Sequence, residues 1–280
     1  MGKHASSSQV RQVWLVRAAL GLGAALAVST AFGVAGASTP SPHTPPPLRA
    51  KAPAAHTAAL ASNVHCGQTV TASLTLNGDL YCPGGTALTV GGSNVVLNLN
   101  GHILGGSGTG TAIVVNGKSD TVENGLISEF ILGMDITGTA DTVSAVRITY
   151  QTGTGLVDEG IGTKLTNNFI AFSGTDGIVS IGSNAVYTGN HVVNSGNNGM
   201  IFEGFNASVT GTVSNGNDGA GINDLGSGTK LTKNTTNYNG YDGIYSYDAR
   251  LVDGGGNTAS YNAPHAGATR AVQCLGVVCS

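Results

Sequence analysis

The sequence predicts an all-β fold, a single-stranded right-handed parallel β-helix built from coils of about 22 residues, and three observations predict it. Gly133, Gly155, Gly177, Gly199, Gly221 and Gly243 recur at one constant interval, each followed by an apolar residue, Met134, Leu156, Ile178, Met200, Ile222 and Ile244. Two further columns keep the same spacing: Val143, Leu165, Tyr187, Val209 and Leu231, then Asn168, Asn190 and Asn234 with Thr212 in the remaining place. The composition, with Gly 44 against 5% aromatic residues, disfavours long helices, where each glycine costs about 1 kcal/mol relative to alanine. A leucine-rich repeat would show a denser leucine pattern, and helical repeats are longer. Short strands stacked in register remain, with successive coils about 4.8 Å apart and each column of like residues forming a ladder.

The chain opens on an export pattern. Lys3, Arg11 and Arg17 precede an uncharged apolar run from Ala18 to Ala37, which ends in the small-x-small site Ala35-Gly36-Ala37. Residues 1–37 therefore read as a signal peptide, and no transmembrane segment is expected after its cleavage. Residues 38–63, with Pro45-Pro46-Pro47 and Ala52-Pro53-Ala54-Ala55, read as a Pro/Ala-rich linker. The folded domain is expected over 64–280, secreted or attached to the cell surface.

Loss of residues 1–37 leaves nine basic against fifteen acidic residues, a formal charge of −6. Nucleic acid is excluded as a partner, because phosphate binding needs clustered Lys and Arg. Cys66, Cys82, Cys274 and Cys279 all lie in the exported part, where an even count points to two disulfides and three pairings are possible. Cys66 with Cys82 and Cys274 with Cys279 is the expected arrangement, because each pair is close in sequence and closes one end of a stack. The asparagine column is expected to be structural, since stacked amides donate to one neighbour and accept from the next.

Cys66-Gly67-Gln68-Thr69-Val70, Leu80-Tyr81-Cys82-Pro83-Gly84-Gly85 and Val96-Leu97-Asn98-Leu99-Asn100-Gly101-His102 resemble the opening of exported bacterial right-handed parallel β-helix repeat proteins of the pectate-lyase-like superfamily. The ending Gln273-Cys274-Leu275-Gly276-Val277-Val278-Cys279 is similar to the tails of the same group. The resemblance covers about residues 64 to 280 and implies a carbohydrate-related setting, with polysaccharide as the expected partner.

A lyase would need carboxylates for calcium and a nearby Arg or Lys to remove a proton. The acids are present after the repeat glycines, but Lys164 and Lys230 lie three coils apart, roughly 14 Å at the usual strand spacing. No specific calcium motif is visible, and no cofactor or metal ligand set is expected. A hydrolase would need two carboxylates: Glu159 and Glu203 share a column two coils apart, about 9.6 Å, near the upper edge of an inverting pair. Asp158 and Asp224 are secondary catalytic candidates, with an Asp–Ser contact inside a turn as their structural alternative. Strand alternation turns Val157, Val179, Ile201 and Tyr245 outward as an apolar strip suited to sugar rings or a partner protein. His102 and His191 have no Ser, Cys or carboxylate at the repeat spacing, so no catalytic dyad is expected.

Two functional readings follow. The first is a binding protein for polysaccharide or another surface component, acting through a strand face; the second is a polysaccharide lyase or glycoside hydrolase. A purely structural or protein-binding role is the third alternative, and the oligomeric state is not encoded in the pattern.

Overall fold

The computed structural model describes residues 63–263 and 273–280. The expected signal peptide and all but the last residue of the expected linker lie outside the described residues. Twenty-six short strands, every pair parallel, wind into a right-handed β-helix, and no helix occurs among the described residues. Ten strands, from Gln68–Val70 through Leu156–Asp158 to Cys274–Leu275, form one sheet, here the first face. The second and third faces belong to one sixteen-stranded sheet, because Thr121–Ser128 and Thr142–Thr149 run unbroken round the corner between them.

Each coil turns three corners, and in the central coils a residue with positive φ stands at each. In one coil these are Gly162, Asn167 and Phe172; in the next, Asn184, Gly189 and Asn194. Glycine and asparagine suit this left-handed region because it crowds a Cβ less or permits local hydrogen bonding. The close spacing of the corners leaves room only for short strands, and parity within each sends the middle residue of the second and third faces inward.

The core consists of side-chain ladders. Ile113, Met134, Leu156, Ile178, Met200, Ile222 and Ile244 are consecutive register partners on the first face and are all fully buried. Leu97, Val122, Val143, Leu165, Tyr187, Val209 and Leu231 form the ladder of the second face. Burying each Leu, Ile or Val contributes about 1.5–3 kcal/mol. Cys66–Cys82 and Cys274–Cys279 are disulfide-bonded, and no free cysteine occurs among the described residues.

The asparagine column caps the corner between the second and third faces. Asn168 Oδ1 accepts from Val146 N at 3.0 Å, while Asn168 N donates to Asn190 Oδ1 at 3.0 Å and Asn168 Nδ2 to Val143 O at 2.9 Å. Asn234 and Asn257 continue the pattern. A second ladder, not anticipated from the sequence pattern, caps the corner before the first face: Asn217, Asn239, Asn262 and Gln273, each taking a backbone or side-chain N–H from the one before. Close packing accounts for the repeat glycine: a Cβ on Gly155 would stand 2.5 Å from both Gly177 O and Ile170 Cγ2, one on Gly177 would collide with Val192 Cγ1 and stand 2.6 Å from Gly199 O, and in the last three coils the second ladder adds to the crowding. A Cβ on Gly199 would stand 2.5 Å from Asn217 Nδ2, one on Gly221 2.7 Å from Asn239 Nδ2, and one on Gly243 2.6 Å from Asn262 Nδ2. The corner amide crosses over the backbone, and only glycine leaves it room.

Candidate functional site

The outer column of the first face runs, in register, Val114, Asp135, Val157, Val179, Ile201, Asn223, Tyr245 and Leu275. Val157, Val179 and Ile201 are adjacent and half-buried, as the alternation of the strands requires. Asn223 separates them from Tyr245, so the strip is not continuously apolar; its Oδ1 is enclosed and has no hydrogen-bond partner among the described residues. Tyr245 packs edge-to-face on Tyr247, ring centroids 5.0 Å apart, and Tyr241 stands exposed just ahead of the same strand. Burial, with a contribution from the Tyr247 hydroxyl, pushes the Tyr245 hydroxyl up to about 12.

The four candidate acids divide into two kinds. Asp158 and Asp224 point into the coil and are 0% and 1% exposed. Asp158 accepts hydrogen bonds from Tyr187 Oη at 2.6 Å, Thr163 Oγ1 at 2.9 Å and Gly160 N at 3.0 Å. Asp224 accepts from Ser246 Oγ at 2.8 Å and Thr229 Oγ1 at 2.9 Å. The structural alternative for Asp224 thus takes the Ser246 form, whereas for Asp158 the principal partner is Tyr187 from the next coil's second face. Burial raises both carboxyls above their ordinary range despite these donors. Neither carboxylate reaches the outer side, and the reason is parity: Ile136 and Phe202, core residues, occupy the same column.

Glu159 and Glu203 follow the ends of strands Leu156–Asp158 and Met200–Phe202 and are half-buried, with Ile181 on the coil between them. Burial raises the Glu203 carboxyl, and the charge of Asp176 adds to the effect. Asp176 was not anticipated. It stands just before Gly177, accepts from Asn198 N, Asn198 Nδ2 and Asn197 Nδ2 at 3.0 Å each, and is itself raised by burial. The signal available in sequence was the matching Asp242 ahead of Gly243.

His102 corrects the expectation of histidines without carboxylates: its Nδ1 lies 3.3 Å from Asp79 Oδ1. The two sit on successive coils at the start of the tube, where each coil is longer than the repeat that follows, and Asp79 also accepts from Ile103 N at 2.9 Å. No group of three or more His, Cys, Asp or Glu side chains among the described residues is arranged to hold a metal ion. No helix among them is long and apolar enough to cross a membrane.

No protein-family model and no curated protein sequence matches the chain. Among solved structures the chain is similar to the pectate lyase Pel9A, with a TM-score of 0.52, 15% identity, and 71% of this chain and 65% of that one covered. It is likewise similar to the enzymatically active domain of tailspike protein 2 of bacteriophage CBA120, with a TM-score of 0.51, 15% identity, and 70% and 38% covered. A protein of Geobacillus virus E2, ORF18, matches at a TM-score of 0.48 and 12% identity, with 69% and 46% covered. The chain spans less than two thirds of each of these structures. The fold is that of the pectate-lyase-like right-handed parallel β-helices.

Proposed function

We propose that the protein is an extracellular β-helix that binds polysaccharide along the outer side of its first face and does not cleave it. One observation carries the reading: Val157, Val179 and Ile201 stand in register on consecutive coils, with Tyr245 further along the same column. Coils repeat at about 4.8 Å, close to the length of one pyranose unit, so successive rungs can meet successive sugar rings. Apolar and aromatic side chains suit the C–H faces of such rings, and flanking carboxylates and amides suit their hydroxyls. Pectate lyase Pel9A shares the fold, and its substrate class is compatible with this reading; fold alone does not fix activity. Export through residues 1–37, with 38–63 as a spacer, completes the proposal, and two disulfides fit an oxidising compartment.

The raised Glu203 carboxyl favours one second reading, a hydrolase in which Glu203 is the general acid and Glu159 the base. Asp158 and Asp224 take no part in it. Incubating the protein with a panel of uronate-containing, neutral and amino-sugar polysaccharides, and measuring both retention and release of reducing ends, tests the two. Retention without release is expected. Release that disappears in Glu159→Gln and Glu203→Gln variants establishes the hydrolase instead, and neither retention nor release on any glycan rejects both.

A further inference from the structure

Charge is segregated around the tube. The described lysines and arginines, Lys118, Arg147, Lys164, Lys230, Lys233 and Arg250, all stand on the second and third faces or on the turn that follows the first, and all are exposed. The outer side of the first face and the corner leading into it carry Asp135, Asp176 and Asp218, with no lysine or arginine among the described residues; Glu159 and Glu203 border the face on the turn that follows it, and Glu123 and Asp253 stand on the second face. The strip of Val157, Val179, Ile201 and Tyr245 runs through the middle of this one-signed surface.

We propose that the strip takes a glycan bearing protonated amino groups, a polymer of amino sugars, and rejects polyuronates. The inference rests on the reading of the strip as a sugar-binding face. Coils about 4.8 Å apart bring acids on neighbouring coils within the Debye length of about 8 Å at physiological ionic strength, so their potentials sum over the lane. A polyuronate would lay a carboxylate on nearly every rung beside these acids, with no cation on the face to receive it. In mildly acidic solution an aminoglycan presents an ammonium group on most of its units while keeping the C–H faces that the apolar column contacts. Complementary charge of this kind sets specificity and association rate, and it weakens as salt rises. Burial raises the Glu203 carboxyl, and the nearby charge of Asp176 adds to the effect, as expected of acids on neighbouring coils.

The test measures binding of the purified protein to chitosan oligomers, a neutral β-glucan and polygalacturonate, at low salt and at physiological salt. Chitosan oligomers are expected to bind at least tenfold more tightly than the neutral glycan at low salt, with the difference shrinking at physiological salt, and polygalacturonate is expected not to bind. A Glu203→Gln, Asp218→Asn double variant should lose about fivefold more for chitosan oligomers than for the neutral glycan, with an unchanged melting temperature. Asp218→Asn alone, at an exposed carboxylate, keeps the test valid if the double variant is unstable. Binding of polygalacturonate that Tyr245→Ala abolishes overturns the charge inference and leaves the strip standing. Binding that Tyr245→Ala does not affect, or no binding of any glycan, removes the strip and the inference together.

Discussion

The interior of the tube changes character from one end to the other. In the coils up to Thr149 the inward positions are apolar: Val90, Val115 and Ile136 on the first face, Leu104, Ile127 and Ile148 on the third. Further on, polar side chains enter the same columns: Asp158, Ser180, Asp224 and Ser246 beside Phe202 on the first face, and Ser214 and Thr236 after Ile170 and Val192 on the third, all buried. The corners change with them, from Leu99 and Val146 to Asn168, Asn190 and Asn234, and to Asn217, Asn239 and Asn262. The apolar ladders of the first and second faces run through both ends; the C-terminal coils add hydrogen-bonded amide and hydroxyl ladders, whereas the N-terminal coils enclose fewer polar groups, chiefly Asp120 and Asp141. The position of the repeat glycine follows the same division: it is Ala87 and Ala112 in the early coils, and glycine from Gly133 onward. From Gly133 onward a Cβ would meet the carbonyl oxygen of the next coil's corresponding residue and an inward side chain of the third face, joined in the last coils by the corner amide.

The largest effect is therefore expected from alanine at a late repeat glycine. Gly199→Ala should cost about 3 kcal/mol in urea unfolding, because the new Cβ collides with Ser214 Oγ and with Asn217 Nδ2, whereas Ala112→Gly should cost about 1 kcal/mol. Equal costs would erase the distinction between the two ends. Asn239→Ala should lower stability by about 2 kcal/mol, since Asn217 N and Nδ2 lose their acceptor, Ser214 O loses its donor and Asn262 Oδ1 keeps only the backbone N–H of residue 239. Thermal melts of this variant check the prediction, with an unchanged midpoint as the contrary outcome.

A third prediction concerns pH. Burial, with repulsion from Asp120 and Asp158, pushes Asp141 up from 3.8 to about 6. The folded state thus favours the protonated acid: this stabilisation is fully present below about 3.8 and is lost as pH rises through about 6. The loss is on the order of 2 kcal/mol. Melting temperature measured from pH 4.5 to 7.5 should fall, and Asp141→Asn, whose Oδ1 can still accept from Asp120 N, should flatten the profile. The smallest effect is a gain. Thr212 interrupts the first asparagine ladder and its Oγ1 is enclosed without a partner. Thr212→Asn should add about 1 kcal/mol by accepting from Asn190 N, as Asn190 accepts from Asn168 N.

These contrasts also mark what the sequence could express. The constant interval of glycine and its apolar follower carried the architecture, and Asn168, Asn190 and Asn234 carried one corner ladder, because each recurs with little interruption. The second ladder was hidden by Ser173 and Ser195, which break the column between Gln151 and Asn217. Asp158 and Asp224 were legible in principle: Ile136 and Phe202 in the same column mark it as inward. Their chemistry had drawn attention away from their parity. Tyr187 as the partner of Asp158 was not legible, since it joins two faces across one coil boundary. Asp176 and the Asp79–His102 pair escaped because one precedes the strand and the other lies where the coils are longer than the later repeat.

A crystal soaked with an amino-sugar hexamer tests the functional account most directly. Density is expected over Val157, Val179 and Ile201, running along the tube towards Tyr245. Sugar found instead on the Lys164–Lys230 side of the second face, or held only between crystal neighbours, would contradict it.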